Sequence, residues 1–132
     1  MKTLFKRILT ISLVLILGVF AFVGCSGNDY EQISAAQAKA IMDSETNYVI
    51  VDVRRYDDEY ALGHIKNAIN IPNEVIEQQA ESILTDKDQL ILVYCRSGNR
   101  SKKACETLVK LGYTNVKEFG GIINWPYGTV TD

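Results

Sequence analysis

The sequence predicts an α/β protein with a central, mostly parallel sheet and helices on both faces. Two runs of mostly apolar residues, at 48–53 and 89–94, are too short for helices and are typical of strands covered on both faces. Segments with helical spacing of apolar residues alternate with these runs, as a parallel sheet requires. The length of 132 residues and the net charge of −2 suit one small globular domain.

The first 24 residues have the composition of a secretory signal peptide. Lys2, Lys6 and Arg7 form a basic start, and residues 8–23 are uncharged and mostly apolar, somewhat short for a membrane span. Removing residues 1–24 changes the net charge from −2 to −5, because three positive charges leave and no acid does. Such an acidic remainder is not expected to bind nucleic acid.

The end of this leader, Phe-Val-Gly-Cys at residues 22–25, resembles the lipobox of bacterial lipoproteins, in which a diacylglycerol is attached to the cysteine. Phe22 replaces the usual Leu, so an uncleaved N-terminal anchor is the alternative. Either outcome predicts an extracytoplasmic protein anchored to the bacterial cell membrane, as a lipoprotein if Cys25 is lipidated. Residues 25–29 are then a lipidated tether, and residues 30–128 form the folded domain.

The scaffold begins with a helix after the tether. Ser34 and Gln37 form a capping-box pattern, and the residues that follow carry an apolar helical face. After the first apolar run, residues 57–62 predict a short helix that Gly63 ends. The later scaffold elements are a short strand at residues 68–71, an amphipathic helix at 73–84 and a last strand at 116–119.

The charged residues after the first run and the single histidine are predicted to be structural. Arg54 is expected to pair with a carboxylate such as Glu59, because half-buried charges need partners; the alternative is that Asp52 and Arg54 frame a pocket. His64 is the only histidine, and the turn at Gly63 favours a hydrogen-bonded structural role over that of a general base.

The residues after the second apolar run predict a loop with a reactive cysteine. Cys95 follows the run and precedes a helix that ends near Gly112, so its thiol lies at the sheet edge where α/β proteins bind ligands. A turn entering a helix presents unpaired N–H groups in front of the positive end of the helix dipole, and this arrangement favours a thiolate. Arg96 and Arg100 add positive charge, and Gly98 relaxes the tightest point of the turn.

The loop and two other stretches together resemble one family, the single-domain rhodaneses. The loop motif is highly specific for that family and consists of Cys95, Arg96, Ser97, Gly98, Asn99, Arg100 and Ser101. The other stretches are an upstream signature that begins at Asp52-Val53-Arg54 and continues to Pro72, and a closing one with Gly120, Gly121 and Trp125. The resemblance covers about residues 30–128 and implies a rhodanese-like fold. It also implies transfer of sulfane sulfur through a persulfide on Cys95.

The expected reaction moves sulfur from a donor such as thiosulfate or a polysulfide to cyanide or to a small or protein thiol. Cys95 is the expected nucleophile, and the other six loop residues are expected to bind the anionic substrate. No cofactor is expected. The alternatives are an extracytoplasmic sulfur or thiol carrier, a redox module or a structural interaction module. A cysteine phosphatase or arsenate reductase fits less well, because those enzymes carry a longer loop.

The remaining cysteine has two possible roles. Cys105 lies ten residues after Cys95 on the apolar stripe of the next helix, which favours a place in the core. The alternative is a resolving thiol that attacks oxidised Cys95, as an oxidising compartment would allow. No metal site is expected, because one such thiol and a distant His64 cannot complete a zinc shell.

Overall fold

Five parallel strands form the central sheet of the computed structural model, which describes residues 29–132. Across the sheet they are ordered β1-β5-β4-β2-β3, and every neighbouring pair runs parallel. The predicted α/β class is therefore confirmed. The predicted signal peptide and Cys25 lie outside the described residues. In chain order the strands are β1 (Glu31–Gln32), β2 (Tyr48–Asp52), β3 (Ile69–Asn70), β4 (Leu90–Cys95) and β5 (Val116–Gly121).

Three helices cover the two faces of the sheet, with α2 and α3 on one face and α1 on the other. None of the helices within residues 29–132 combines the length and the apolar composition needed to cross a membrane. The helices are α1 (Ala35–Ser44), α2 (Ile76–Ile83) and α3 (Asn99–Lys110), and two 3₁₀ turns lie at Tyr60–Leu62 and Ile122–Asn124.

Strand β4, at the centre of the sheet, and β2 beside it bury both of their faces. Val51 and Val93 pack in the cluster that includes α2 and α3, whereas Ile50 and Leu92 pack with Ala38 of α1. Successive side chains of a strand point to opposite faces, so a strand covered on both sides is apolar along most of its length. The exception in β2 is its last residue, Asp52, whose buried carboxylate pairs with Arg54. Burial on both faces explains the two mostly apolar runs in the sequence.

Two predicted helix boundaries that have a capping signature are confirmed, the start of α1 and the end of α3. The Ser34 hydroxyl accepts a hydrogen bond from the Gln37 N–H at 3.0 Å, and the Gln37 side chain accepts one from the Ser34 N–H at 2.9 Å. Helix α3 is followed by Gly112 with φ of 95°, a left-handed conformation that glycine adopts readily.

Two predicted helices are shorter than expected. Residues 57–62 form only a 3₁₀ turn at their end, because the Glu59 backbone has φ of −132° and ψ of −70°, outside the helical region. The helix predicted at residues 73–84 begins three residues late, at α2. The Asn73 N–H donates to the Val53 carbonyl at 2.9 Å, which holds this part of the chain against the sheet.

Candidate active site

Cys95 lies where strand β4 ends and the turn into α3 begins. The β4–β5 pairing shifts register between Val93 and Cys95, so that Cys95 pairs with Gly121. Gly98 has φ of 105°, a left-handed conformation that turns the chain directly into α3. Its N–H donates to the Cys95 Sγ at 3.0 Å. Cys95 is only 1% exposed, so the sulfur lies inside the turn and not on its surface.

A buried hydroxyl and a buried carboxylate lie behind the thiol. Ser101, in the first turns of α3, has its Oγ 3.3 Å from the Cys95 Sγ and 2.6 Å from Oε1 of Glu118 on β5. The same carboxylate oxygen accepts the Gly120 N–H at 2.7 Å. These contacts tie β4, α3 and β5 together at the point where the cysteine sits.

Glu118 is a site residue that the sequence analysis missed. It lies two residues after Val116, so both side chains face the side of the sheet that α3 covers. A carboxylate at such an inward position in a buried strand lowers the stability of the fold unless it has hydrogen-bond partners. That mismatch between position and residue type was a signal in the sequence that a polar partner lies nearby.

Gly121 lies directly against the backbone of the Cys95 loop and has no side chain that would collide with it. A Cβ on this residue would lie 1.9 Å from the Arg96 carbonyl oxygen and 2.6 Å from the Ser97 nitrogen. The Ile123 N–H also donates to the Arg96 carbonyl at 3.3 Å. Direct backbone contact with the end of β5 therefore fixes the position of the loop.

The two arginines near the site have partners other than those expected. Arg54 pairs with a carboxylate, as predicted, but the partner is Asp52 and not Glu59. Its Nε and one terminal nitrogen lie 2.7–3.1 Å from the Asp52 oxygens, and it also donates to the Gly63 carbonyl at 2.7 Å. Glu59 binds Arg100 instead, in a bidentate pair with both distances 2.7 Å. The Arg100 charge is thereby largely neutralised, so it is less available to an anionic substrate than the sequence suggested.

Glu59 makes the ion pair sensitive to acid. The hydrogen bonds from Arg100 lower the pKa of Glu59 from 4.5 to about 2. Because the folded-state pKa is the lower one, this pair stabilises the fold above about pH 4.5, and the contribution disappears as the pH falls towards 2. We expect a contribution of about 1–2 kcal/mol, discounted for the partial exposure of Arg100.

Replacing Glu59 tests this assignment. Glu59→Gln should lower the free energy of unfolding at neutral pH by about 1–2 kcal/mol, and the difference from wild type should shrink as the pH falls below about 4. Urea unfolding at several pH values measures it. Asp58→Asn, which removes an exposed carboxylate paired with Arg55 in the same segment, is the control and should change stability little. An equal loss in Glu59→Gln at all pH values would contradict the assignment.

The other loop side chains face outward. Arg96, Ser97 and Asn99 are exposed, and their side chains form no hydrogen bond or ion pair with the described residues. Arg96 lines a pocket of about 350 Å³ beside the loop, together with Leu62, Ile123 and others. Of the loop residues predicted to bind substrate, the structure brings Gly98 and Ser101 to the Cys95 sulfur. Arg96 is the exposed cation at the pocket; Arg54 lines the same pocket but is paired with Asp52.

His64 has the structural role that its turn predicts. It is 1% exposed, its Nδ1 lies 3.0 Å from the Tyr60 carbonyl, and its Nε2 lies 2.5 Å from Oδ1 of Asp132. The His64 and Val130 backbones also exchange two hydrogen bonds. This histidine therefore anchors the C-terminal segment.

Cys105 lies on the buried face of α3, in the same core cluster as Cys95. Burial and the nearby Glu118 raise its pKa, so the neutral thiol is favoured. Within residues 29–132 no group of three or more His, Cys, Asp or Glu side chains is placed to hold a metal ion.

Comparison with known proteins identifies the family. The sequence profile of the Rhodanese-like domain matches residues 34–126. The chain is 36% identical over 72 residues to thiosulfate sulfurtransferase PspE of Escherichia coli, covering 54% of this chain and 68% of that protein. It is 37% identical over 93 residues to a sulfurtransferase of Allochromatium vinosum, covering 70% of this chain and 83% of that protein.

Larger proteins and solved structures also match. The similarity to a tRNA uridine(34) hydroxylase of Photorhabdus laumondii, 34% over 100 residues, covers 72% of this chain but only 28% of that protein. The crystal structure of a rhodanese-related protein from Thermoplasma volcanium superposes with a TM-score of 0.67 at 33% identity, covering 78% of this chain and all of that one. On these matches and on its fold, the chain belongs to the Rhodanese-like domain family, among whose members are sulfurtransferases.

Proposed function

We propose that the protein is a sulfurtransferase that carries sulfane sulfur as a persulfide on Cys95. The observation that carries the proposal is the placement of the Cys95 Sγ inside the turn before α3, with the Gly98 N–H 3.0 Å away. A backbone donor and the positive end of a helix dipole both favour negative charge on that sulfur. The similarity to proteins named as sulfurtransferases supports the same reaction class.

In the first half-reaction the Cys95 thiolate attacks the outer sulfur of a donor such as thiosulfate. A new S–S bond forms to Cys95 while the S–S bond inside thiosulfate breaks, and sulfite leaves with the electron pair of the broken bond. The exposed Arg96 at the neighbouring pocket attracts such an anionic donor. The terminal sulfur of the persulfide is then held in the loop that carries Cys95.

In the second half-reaction a nucleophile attacks the terminal sulfur of the persulfide. With cyanide the product is thiocyanate; with a small or protein thiol it is a new persulfide on the acceptor. In each case the S–S bond to Cys95 breaks and the thiolate is restored. The first product leaves before the acceptor reacts, and Cys95 holds the sulfur between the two steps. The two half-reactions therefore follow ping-pong kinetics.

A steady-state assay with thiosulfate and cyanide tests the reaction class. We expect thiocyanate formation with ping-pong kinetics and negligible hydrolysis of aryl phosphates. Only four residues separate Cys95 from Arg100, and this short loop offers too few donors for the several oxygens of a tetrahedral phosphate. Strong phosphatase activity without sulfur transfer from any donor would contradict the proposal.

Cys105 is not a member of the reaction cycle in this proposal. Cys105→Ala should keep thiocyanate formation within about twofold and lower the free energy of unfolding by about 1 kcal/mol, because a small buried side chain is removed. Thermal unfolding and the sulfur-transfer assay measure the two effects. A Cys95–Cys105 disulfide trapped during turnover, or loss of turnover in the folded variant, would favour a redox function instead.

We also propose that the domain is held outside the cytoplasm by a lipid on Cys25. The leader composition and the lipobox-like residues 22–25 support this placement. In the native host the wild-type protein should partition into detergent with the mass of an attached lipid, and Cys25→Ala should lose that lipid. A wild-type protein without lipid that remains in the aqueous phase would contradict it.

A further inference from the structure

Three buried groups form a continuous hydrogen-bonded chain from the thiol into the sheet. The Cys95 Sγ lies 3.3 Å from the Ser101 Oγ, which lies 2.6 Å from Oε1 of Glu118. The residues are 1%, 0% and 3% exposed, respectively. The thiol therefore has a direct hydrogen-bonded route to a carboxylate, while its contact with water is almost nil.

The hydroxyl of Ser101 can act in either direction along this chain. It has one proton, and its shortest contact is with the Glu118 carboxylate. When that proton is donated to Glu118, the Ser101 oxygen is free to accept the S–H of Cys95. When the directions reverse, protonated Glu118 donates to Ser101, and Ser101 donates to a Cys95 thiolate.

We propose that Glu118 receives, through Ser101, the proton that Cys95 loses when it becomes the attacking thiolate; the inference rests on the proposed function. The S–H bond of Cys95 breaks and its proton goes to the Ser101 oxygen, while the original Ser101 proton goes to Oε1 of Glu118. Neutral thiol and carboxylate become thiolate and carboxylic acid. No charge is created or lost, and Ser101 ends with one proton as it began.

The physical reason for this coupling is the free-energy cost of holding two negative charges in one buried site. Two anions joined by a single hydroxyl in a buried site repel each other, and each lacks hydration. Moving one proton along the chain keeps a single negative charge in the site throughout. Cys95 and Glu118 should therefore titrate as a coupled pair and not as two independent groups.

The other ionisable groups near this pair do not replace Glu118 as acceptor. Burial raises the pKa of Tyr30 and of Cys105, so both are neutral and protonated at neutral pH. Arg100, on the loop side, is paired with Glu59. Other charged groups on or near these elements point to solvent or are paired: Glu106, Lys102, Lys103 and Lys110 lie on the exposed side of α3, Glu74 lies near Arg100, and Lys117 pairs with Glu31.

The pH dependence of Cys95 alkylation tests the coupling. Full-length protein is reacted with iodoacetamide across a wide pH range, and modification is followed on the Cys95 peptide by mass spectrometry. A coupled pair should give the wild type two ionisation steps separated by a plateau. Glu118→Gln keeps a side-chain oxygen that can accept hydrogen bonds from Ser101 and Gly120, but an amide cannot take up the proton. It should show one step, with the rate falling about tenfold per pH unit below a single midpoint.

Matched variants and outcomes make the test decisive. Glu106→Gln removes an acid from the exposed side of α3 and should keep the two-step profile. Superimposable profiles for wild type and Glu118→Gln would overturn the proposal. So would a single step in both proteins, merely displaced in pH, because Glu118 would then act through its charge alone. A single step in wild type is sufficient to overturn it even if Glu118→Gln fails to fold.

This readout is independent of sulfur transfer. Alkylation requires a thiolate that iodoacetamide can reach and no sulfur donor, so it reports on Glu118 whether or not a persulfide forms. Two steps in wild type with no transfer from any donor would leave the coupling intact and would contradict only the proposed function.

Discussion

Cys95→Ser is expected to abolish thiocyanate formation, by at least about a thousandfold, while the protein remains folded. Serine is close in size to cysteine and its oxygen can accept the Gly98 N–H, which now donates to the Cys95 Sγ at 3.0 Å. An alcohol, however, is a poor nucleophile towards sulfur and cannot hold a persulfide. The steady-state assay measures the loss, and circular dichroism checks the fold.

Cys105→Ala is the matched control for this variant, because it removes the other buried thiol of the same core cluster. It should remain active. Activity in folded Cys95→Ser above about one hundredth of wild type would show that another group carries the sulfur.

Gly121→Ala is expected to reduce sulfur transfer by about a hundredfold and to lower the free energy of unfolding by about 1–3 kcal/mol. The added methyl would lie 1.9 Å from the Arg96 carbonyl oxygen, a backbone atom that cannot rotate away. The loop must therefore shift, and the Gly98 N–H and Ser101 then lose their positions around Cys95. Turnover and urea unfolding measure the two effects.

Gly128→Ala is the control for a glycine effect alone. Gly128 has φ of 87°, and a Cβ there would meet no atom within 4 Å. This variant should lose about 1–2 kcal/mol from backbone strain but keep its turnover. If Gly121→Ala were as active as Gly128→Ala, the direct backbone support of the loop by β5 would be excluded.

Local patterns in the sequence were sufficient to predict the helices and strands whose positions depend on burial and capping. The apolar runs of β2 and β4, the capping box at Ser34 and the glycine after α3 all have short-range physical causes, and each was predicted correctly. Cys95 at the end of a strand follows from the same reasoning. Strand β1 was missed because both of its residues are polar and exposed, so no apolar run marks it, and its pairing with β5 comes from tertiary structure.

The partners of the charged residues could not be predicted in the same way. Arg54 and Arg100 both lie within reach of carboxylates, and sequence distance does not show that Glu59 meets Arg100, which lies 41 positions away. Glu118 reaches Ser101 across 17 positions for the same reason. These contacts depend on the order of strands in the sheet, whereas burial and capping depend on near neighbours.

The mass of the Cys95 peptide after treatment with thiosulfate tests the central proposal most directly. Full-length protein is incubated with thiosulfate, freed of excess donor, and digested without reducing agent. We expect the mass of one added sulfur atom on the Cys95 peptide, its removal by cyanide with release of thiocyanate, and no such mass in Cys95→Ser. Wild-type protein that acquires no sulfur on Cys95 from thiosulfate or polysulfide, or acquires it on Cys105 instead, would contradict the proposal.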